Sequence, residues 1–391
     1  MEKKIFIDSI ECKEFKKFDS VKLDNLDREV MVVAGNREGK SSILNTISWG
    51  LMGLDTFGNR MDPMKADALM SWVKLDMSVD GDEKSIRKII SLKKNGKTES
   101  TSNLSIDLDK ELFFSILNPR YLQGLDPKNI KGVMSKVVNI PTAMMELSMK
   151  TTIVPFARDI EGMTSLEKIS AVETAIKNTN ASIKETEKKI LVEKGKTEGV
   201  IIIKALLSEN GISVSADAET IMDITVDTAD ASIVTYEEEI KENKTVNENY
   251  NAYRTAAYEV LAEEFNASMK KTQIKLSENG KEVFIITYDG KNIKGCSNSE
   301  QLLAGLEMVN TISSFTGCSY PCLVDNAEAI LDIDVEQFPN IEQFFFAIVA
   351  DEKLSTWENG SLTDITTKTI VPRTRESLKP TIKVLEGWGS K

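Results

Sequence analysis

Histidine is absent from all 391 residues. Its absence excludes Ser-His-Asp and Cys-His nucleophile activation, and it excludes imidazole-ligated metals. Cysteine is scarce: Cys12, Cys296, Cys318 and Cys322 form no C-x-x-C pair, which argues against a zinc site. The opening Met1-Glu2-Lys3-Lys4-Ile5 lacks the apolar core of an export signal, so the thiols are expected to be reduced in a cytoplasmic protein. No apolar run is long enough to span a bilayer, and no membrane partner is expected. Positive charge is in deficit, with 49 Lys and Arg against 61 Asp and Glu, a net charge of −12. Such a chain is no general polyanion binder, and contact with nucleic acid requires a local basic patch. Hydrophobic residues make up 41% of the chain, ample for a core shared among two or three lobes.

The most informative stretch is Val30-Met31-Val32-Val33-Ala34-Gly35-Asn36-Arg37-Glu38-Gly39-Lys40-Ser41-Ser42. An apolar run enters a glycine-containing turn, and an amphipathic stretch (Ile43, Leu44, Ile47, Trp49, Leu51) follows, so the pattern reads strand, tight loop, helix. This fits the phosphate-binding loop with Ala34 at the place of its first glycine. Gly35 and Gly39 let backbone N–H groups turn toward a polyphosphate, Lys40 supplies a point charge for the β- and γ-phosphates, and the Ser41 hydroxyl can ligate Mg²⁺. The expected ligand is ATP or GTP.

Elsewhere the elements follow from periodicity. A strand is expected over residues 5–12. Lys13, Lys16 and Lys17 flank Phe15 and Phe18. Residues 70–95 alternate as an antiparallel meander with turns at Asp80-Gly81-Asp82 and Asn95-Gly96. Arg87, Lys88, Lys93, Lys94 and Lys97 make this the most basic strand region, readable as a solvated face or as a DNA contact. Residues 104–140 turn helical, with a loop at Asn118 to Leu125 that exposes Gln123. Ile169, Ile176, Ile183 and Ile190 recur every seven residues, with Val172, Thr179 and Thr186 at the second seam position, as in one arm of a coiled coil. Residues 208–232 break that pattern. A second helix is expected from Ile233 to Lys271, with the stripe Ile233, Tyr236, Ile240, Val246, Tyr250, Tyr253, Ala257 and Val260. An antiparallel hairpin or an ordinary helical insertion both fit. Strand signals return at Val283 to Tyr288. Ser297 or Ser299 caps the helix that follows, Cys322 to Asp325 is an apolar strand ending in a carboxylate, and Phe344 to Val349 is the last clear strand. The tail from Thr363 to Lys391 reads as one or two short strands.

A phosphate loop near the start, a helical hairpin in the middle and an acidic strand end near the finish place the halves of one nucleotide site far apart in sequence. In this plan the chain resembles the SMC/RecN/SbcC class of ABC-type ATPases, which includes RecF-like proteins, over residues 1–150 and 270–350. The resemblance implies an α/β P-loop NTPase head of ABC type with an antiparallel β subdomain and an inserted antiparallel α-helical hairpin. The lobes would be 1–157, 158–271 and 272–391. Ala34 to Ser41 matches the family's Walker A loop: Asn36 matches its Asn, Arg37 stands where Gly is usual and can touch the nucleotide, and Ser42, next in the chain, is expected among the nucleotide-binding residues. Tyr121-Leu122-Gln123-Gly124 resembles the Q-loop, implying that Gln123 senses Mg²⁺ and the γ-phosphate. Cys296 to Glu300 resembles the ABC signature, with Ser297 at its serine and Asn298 and Ser299 where glycines are usual. In the family this signature reaches the γ-phosphate bound to the other subunit, which implies an ATP-sandwiched homodimer. Leu323-Val324-Asp325 is similar to Walker B, with Asp325 positioning Mg²⁺. The family's next residue is a catalytic Glu, whereas this chain has Asn326, which can orient a water but cannot take its proton. Glu328 matches the second Glu of the Asp-Glu-Pro-Glu pattern of OLD-type ATPases. It is either the base or simply a carboxylate at a helix start. Ala350 and Asp351 replace the family's switch histidine. These departures imply slow hydrolysis.

Two functions compete. One is a DNA repair or recombination ATPase that grips double-stranded DNA through Lys13, Lys16, Lys17 or the strands of residues 87–97, with a nuclease partner because no nuclease constellation is present. The other is an ATP-dependent interaction switch, a defence or regulatory module with no DNA role. A phosphate-loop kinase or GTPase does not explain the split plan, and no guanine-specificity motif is present for a GTPase.

Overall fold

A computed structural model of the chain describes residues 3–34, 39–138, 163, 165–278, 281–330, 333–349, 357–358, 361–362 and 381–384. The fold is α/β. It divides into two compact units, one of Met1–Val137, Ala262–Lys275 and Phe284–Lys391, the other of Val138–Leu261 and Leu276–Val283.

The first unit holds two sheets of different character. Strands β1 (Ile5–Phe15), β2 (Phe18–Leu23), β4 (Met70–Val79), β5 (Asp82–Leu92) and β6 (Thr98–Ser102) form an antiparallel sheet in the order β2-β1-β4-β5-β6. Alternation directs Ile5, Ile7, Val73, Leu75, Met77 and Val79 into the core and their neighbours outward. The expected turn at Asp80-Gly81 joins β4 to β5, and both residues have positive φ, +56° and +88°, as a two-residue hairpin with primed geometry requires.

The second sheet is parallel, in the order β10-β11-β3-β14, from β3 (Glu29–Ala34), β10 (Cys322–Val324), β11 (Phe344–Val349) and β14 (Thr381–Val384). Val30, Val32 and Val33 lie beside Phe344, Phe345 and Ile348, all buried, which explains the unbroken apolar runs. Gln343, fully buried just before β11, joins the two sheets. It accepts from the Ile7 N–H at 2.8 Å and donates to the Ile7 carbonyl at 2.8 Å and the Asp27 carbonyl at 3.2 Å. The buried amide is thereby satisfied on both of its ends.

Helix α1 (Lys40–Met52) is the next element after β3 and packs against strands of both sheets, with Ile43, Ile47 and Trp49 buried. The Trp49 ring lies 5.8 Å from that of Phe15. Three short helices follow β6: α2 (Lys110–Leu117), α3 (Tyr121–Gly124) and α4 (Pro127–Val137). The segment read as a loop at residue 123 is thus a single helical turn, with Gln123 half-buried rather than exposed. Strands β7 (Thr272–Glu278), β8 (Lys281–Tyr288) and β9 (Lys291–Asn292) form a small sheet, and helix α7 (Asn298–Thr316) leads on to β10. Two-residue strands β12 (Trp357–Glu358) and β13 (Ser361–Leu362) pair antiparallel, and the strand signal in the tail corresponds to β14. All four cysteines are free and buried. Burial pushes the Cys12 thiol up to about 12, far from reactive thiolate. Among the described residues no helix is long and apolar enough to cross a membrane.

The second unit contains the helical hairpin, α5 (Ser165–Glu209) and α6 (Ala216–Ala267) as far as Leu261. Asn180 with Asn247, Thr186 with Glu239, and Lys204 with Asp223 run in opposite senses along the two helices, so the pair is antiparallel. The heptad seam is present where Ile183, Ile190 and Ile240 cluster against Ile233 and Tyr236. One expectation is corrected: residues 216–232 are helix, not a break. Asp217 and Glu219 complement the N-terminal dipole, and the hydroxyls of Thr220, Thr225, Thr228 and Ser232 donate to carbonyls four residues back. Residues that favour turns when isolated are thus accommodated inside the helix, and the connection shrinks to residues 210–215.

Candidate functional site

Residues 35–38 of the expected phosphate loop, with Gly35, Asn36 and Arg37, lie outside the described residues. What flanks them is informative. Gly39 has φ +102°, and a Cβ there would stand 2.6 Å from the Phe18 ring tip, so only glycine fits between the loop and β2. Helix α1 begins at the next residue, and its first-turn N–H groups form an anion-favouring end. Lys40 is buried, and its ammonium donates to the Ala34 carbonyl at 3.1 Å, spanning the loop from exit to entry. The Ser42 N–H closes the turn on the Gly39 carbonyl at 2.8 Å.

Ser41 and Asp325 meet although 284 residues separate them. The Ser41 hydroxyl donates to Asp325 Oδ2 at 2.7 Å. The cause is the strand order: β11 lies between β3 and β10 and all three are parallel, so Asp325, directly after β10, and Ser41, in the first turn of the helix that follows β3, come together at the C-terminal ends of the strands. Two hard oxygen donors this close fit a Mg²⁺ shell completed by phosphate and water oxygens. Beside them Asn326 has φ +57°, a left-handed conformation that asparagine tolerates better than glutamate, and its N–H donates to Asp325 Oδ1 at 3.0 Å. The backbone here therefore suits asparagine better than glutamate. Glu328 is exposed in the 3-10 turn Ala327–Ile330.

The signature-like segment is built around a helix start. The Ser297 hydroxyl caps α7 by accepting from the Glu300 N–H at 3.3 Å, and Glu300 accepts from the Ser297 N–H at 2.7 Å, a capping box. Those bonds hold the Glu300 carboxyl below the usual carboxylate range. The Ser297 and Ser299 hydroxyls are 3.0 Å apart. Asn298, at a usual glycine position, accepts from the Arg120 guanidinium. The Gln123 amide donates to the Gln301 carbonyl at 2.8 Å. The Gln123 segment is therefore anchored on α7 rather than hydrogen-bonded to Ser41 or Asp325. A Cβ on Gly305 would stand 2.1 Å from the Pro119 carbonyl oxygen, so α7 and this segment touch backbone to backbone. Ser299 and Glu328 line one open cavity of about 490 Å³ with Lys270, Lys271, Glu307 and Asp334.

The basic strand region is less available than its sequence suggests. The Lys88 ammonium donates to the Trp49 carbonyl at 3.2 Å, and burial holds its pKa down. Lys93 pairs with Glu99 at 2.9 Å, and Arg87 stacks 4.5 Å over Trp72. Phe18, Arg120, Gly305 and Gln343 were not singled out as site residues. Each acts through what approaches it in space, and only a glycine inside a helix pattern could have drawn attention to Gly305.

No protein-family model and no curated protein matches the chain. Among solved structures it is similar to the Smc head domain of Pyrococcus furiosus with an extended coiled coil, bound to the C-terminal domain of ScpA. That match has 16% identity over 89% of this chain and 90% of the other, with TM-score 0.44. It is similar also to the recombination mediator protein RecF with ATP, in the RecFOR pathway, at 15% identity over 89% and 93%, with TM-score 0.37. A further match is the Smc head domain with a coiled coil and joint of Pyrococcus yayanosii, at 14% identity over 88% and 92%, with TM-score 0.38. These overlaps are loose, and the reading of the site rests on its own side chains.

Proposed function

We propose that the chain is a slow, Mg²⁺-dependent ATPase that dimerises on ATP and acts on double-stranded DNA in repair or recombination, in concert with a nuclease partner. The observation that supports this most directly is the 2.7 Å contact between Ser41 and Asp325, which joins the loop and the strand end into one oxygen-donor pair. Bound Mg²⁺ would neutralise the charge developing on the transferred phosphate. Lys40 leaves the Ala34 carbonyl for the phosphates, Ser41 and Asp325 hold the metal directly or through water, and Asn326 holds the attacking water without deprotonating it. Glu328 is the carboxylate of the 3-10 turn that can take that proton. Ser297 and Ser299, exposed and half-buried at the N-terminus of α7, suit an anion presented by a second copy.

The second reading, an ATP-dependent interaction switch without a DNA role, is favoured by the net charge of −12 and by the engaged state of Lys88 and Lys93. ATP turnover by the wild type, Lys40→Ala and Glu328→Gln, with and without linear duplex DNA, separates the two. The proposal expects DNA-stimulated turnover that Lys40→Ala abolishes. Glu328→Gln should lower it by a factor of about 10²–10⁴, the usual contribution of a general base, with ATP-dependent dimers retained. Turnover indifferent to DNA would favour the switch. ATP binding with no turnover would rule out the ATPase.

A further inference from the structure

The distal part of the hairpin differs from the part nearer residues 183 and 240. At Ile183, Ile190 and Ile240 the apolar seam is closed. Beyond it the large apolar residues face solvent. On α5 these include Ile201, Ile202, Ile203 and Leu206, at 58%, 58%, 47% and 52% exposure, after the exposed Leu191 and Val192 beside the seam, and on α6 they include Ile221 and Ile224, at 65% and 58%. The Lys204–Asp223 pair fixes the register, so Ile203 stands level with Ile224 one residue away on either helix. Ile203 and Leu206 are three residues apart, as are Ile221 and Ile224, so each helix contributes a short face and the two faces share one end of the hairpin. A soluble chain rarely leaves so many neighbouring aliphatic side chains uncovered without a partner for them.

The charge around this strip is one-sided. Asp217, Glu219, Asp223, Asp227 and Asp230 fall within 14 residues of α6, all exposed, and the first basic residue of that helix is Lys241. Glu219, Asp223, Asp227 and Asp230 follow helical spacing and form a continuous acidic edge. On α5 the lysines are matched by Glu193, Glu198 and Glu209. Lys196 pairs with Glu193, and Lys204 with Asp223. The net field is negative, which repels nucleic acid, an anionic membrane and a second copy of the same tip.

We infer that the distal hairpin is a docking surface for an amphipathic helical segment of another protein, one whose apolar stripe is bordered by Lys or Arg. Apolar residues of the partner would cover Ile203, Leu206, Ile221 and Ile224, and its basic border would meet the Glu219-to-Asp230 edge, as in other helix-in-groove complexes. Like charge along the border excludes acidic helices, which gives specificity.

Two labelled amphipathic peptides of about 20 residues test this on the full chain by fluorescence anisotropy, both with the same Leu stripe, one bordered by Lys and the other by Glu. The Lys peptide is expected to bind at least about tenfold tighter, with the preference falling as salt rises. Glu219→Lys with Asp227→Lys is expected to reverse the preference, a result that loss of folding cannot produce. Ile203→Glu with Ile221→Glu is expected to abolish binding of both peptides while helical circular dichroism is kept. Equal affinity for the two peptides, or a preference unchanged by charge reversal, overturns the inference. So does self-association in sedimentation that Ile203→Glu with Ile221→Glu removes, because the strip would then belong to a second copy.

Discussion

Gly305 carries more constraint than its residue type advertises. Its Cα faces the Pro119 carbonyl, and backbone oxygen cannot move aside as a flexible side chain can. Gly305→Ala is expected to destabilise the first unit by about 1–3 kcal/mol through overpacking, read as a lowered denaturation midpoint, and to displace the Gln123 anchor on α7. Asn326 is constrained by conformation instead. In its left-handed well Asn326→Ala should cost about 1 kcal/mol, and Asn326→Gly should be neutral or mildly stabilising, measured by urea unfolding. The pairing of Ser41 with Asp325 was legible in the sequence because Ser41 follows an apolar strand and a glycine-containing loop, and Asp325 directly ends an apolar strand. The roles of Gly305, Arg120 and Gln343 were not. Their neighbours are 178 to 336 residues away or belong to an unrelated element, and no local pattern encodes such approaches.

Secondary elements were legible where period and caps agreed. The meander, the strand–loop–helix and the capping box of α7 all carry their signals within a few residues. The first four turns of α6 were not legible, because Ser, Thr and Asp compete with helix hydrogen bonds in isolation, and only the helix context turns their hydroxyls back onto carbonyls. The seam gives a direct test. Ile183→Ala is expected to destabilise the hairpin by about 2 kcal/mol, the low end for such a truncation because the seam is a narrow strip, seen as a less cooperative loss of the helical signal. Helix α2 gives a pH test. Burial alone would raise the Asp109 carboxyl, but bonds from the Leu112 N–H and the Lys136 ammonium outweigh it and hold the group below its ordinary value. A folded value below the unfolded one means the contribution is complete above the ordinary carboxylate range and is lost as pH falls through the folded value, so α2 should loosen below about pH 4. Asp109→Asn, which keeps a cap but cannot titrate, should flatten that part of the profile in urea melts.

At the scale of the molecule, the candidate site depends on a sheet assembled from distant pieces of chain. Strand β14, residues 381–384, is hydrogen-bonded along β3, so a chain ended at Pro380 should expose that edge of β3 and gain aggregation propensity, measurable by light scattering on mild heating. The same arrangement sets a schedule for synthesis. The antiparallel sheet is complete by residue 102 and can form early, whereas β3 has no neighbour in its own sheet until β11 is made. At about 5–20 residues per second, some 15–60 s pass between the emergence of Ala34 and that of Val349. Throughout that interval the Val30–Ala34 run is a bare strand on a nascent chain, so a ribosome-associated chaperone that shields apolar segments, or a slow stretch of translation just after residue 102, would govern how much of the chain reaches its native sheet.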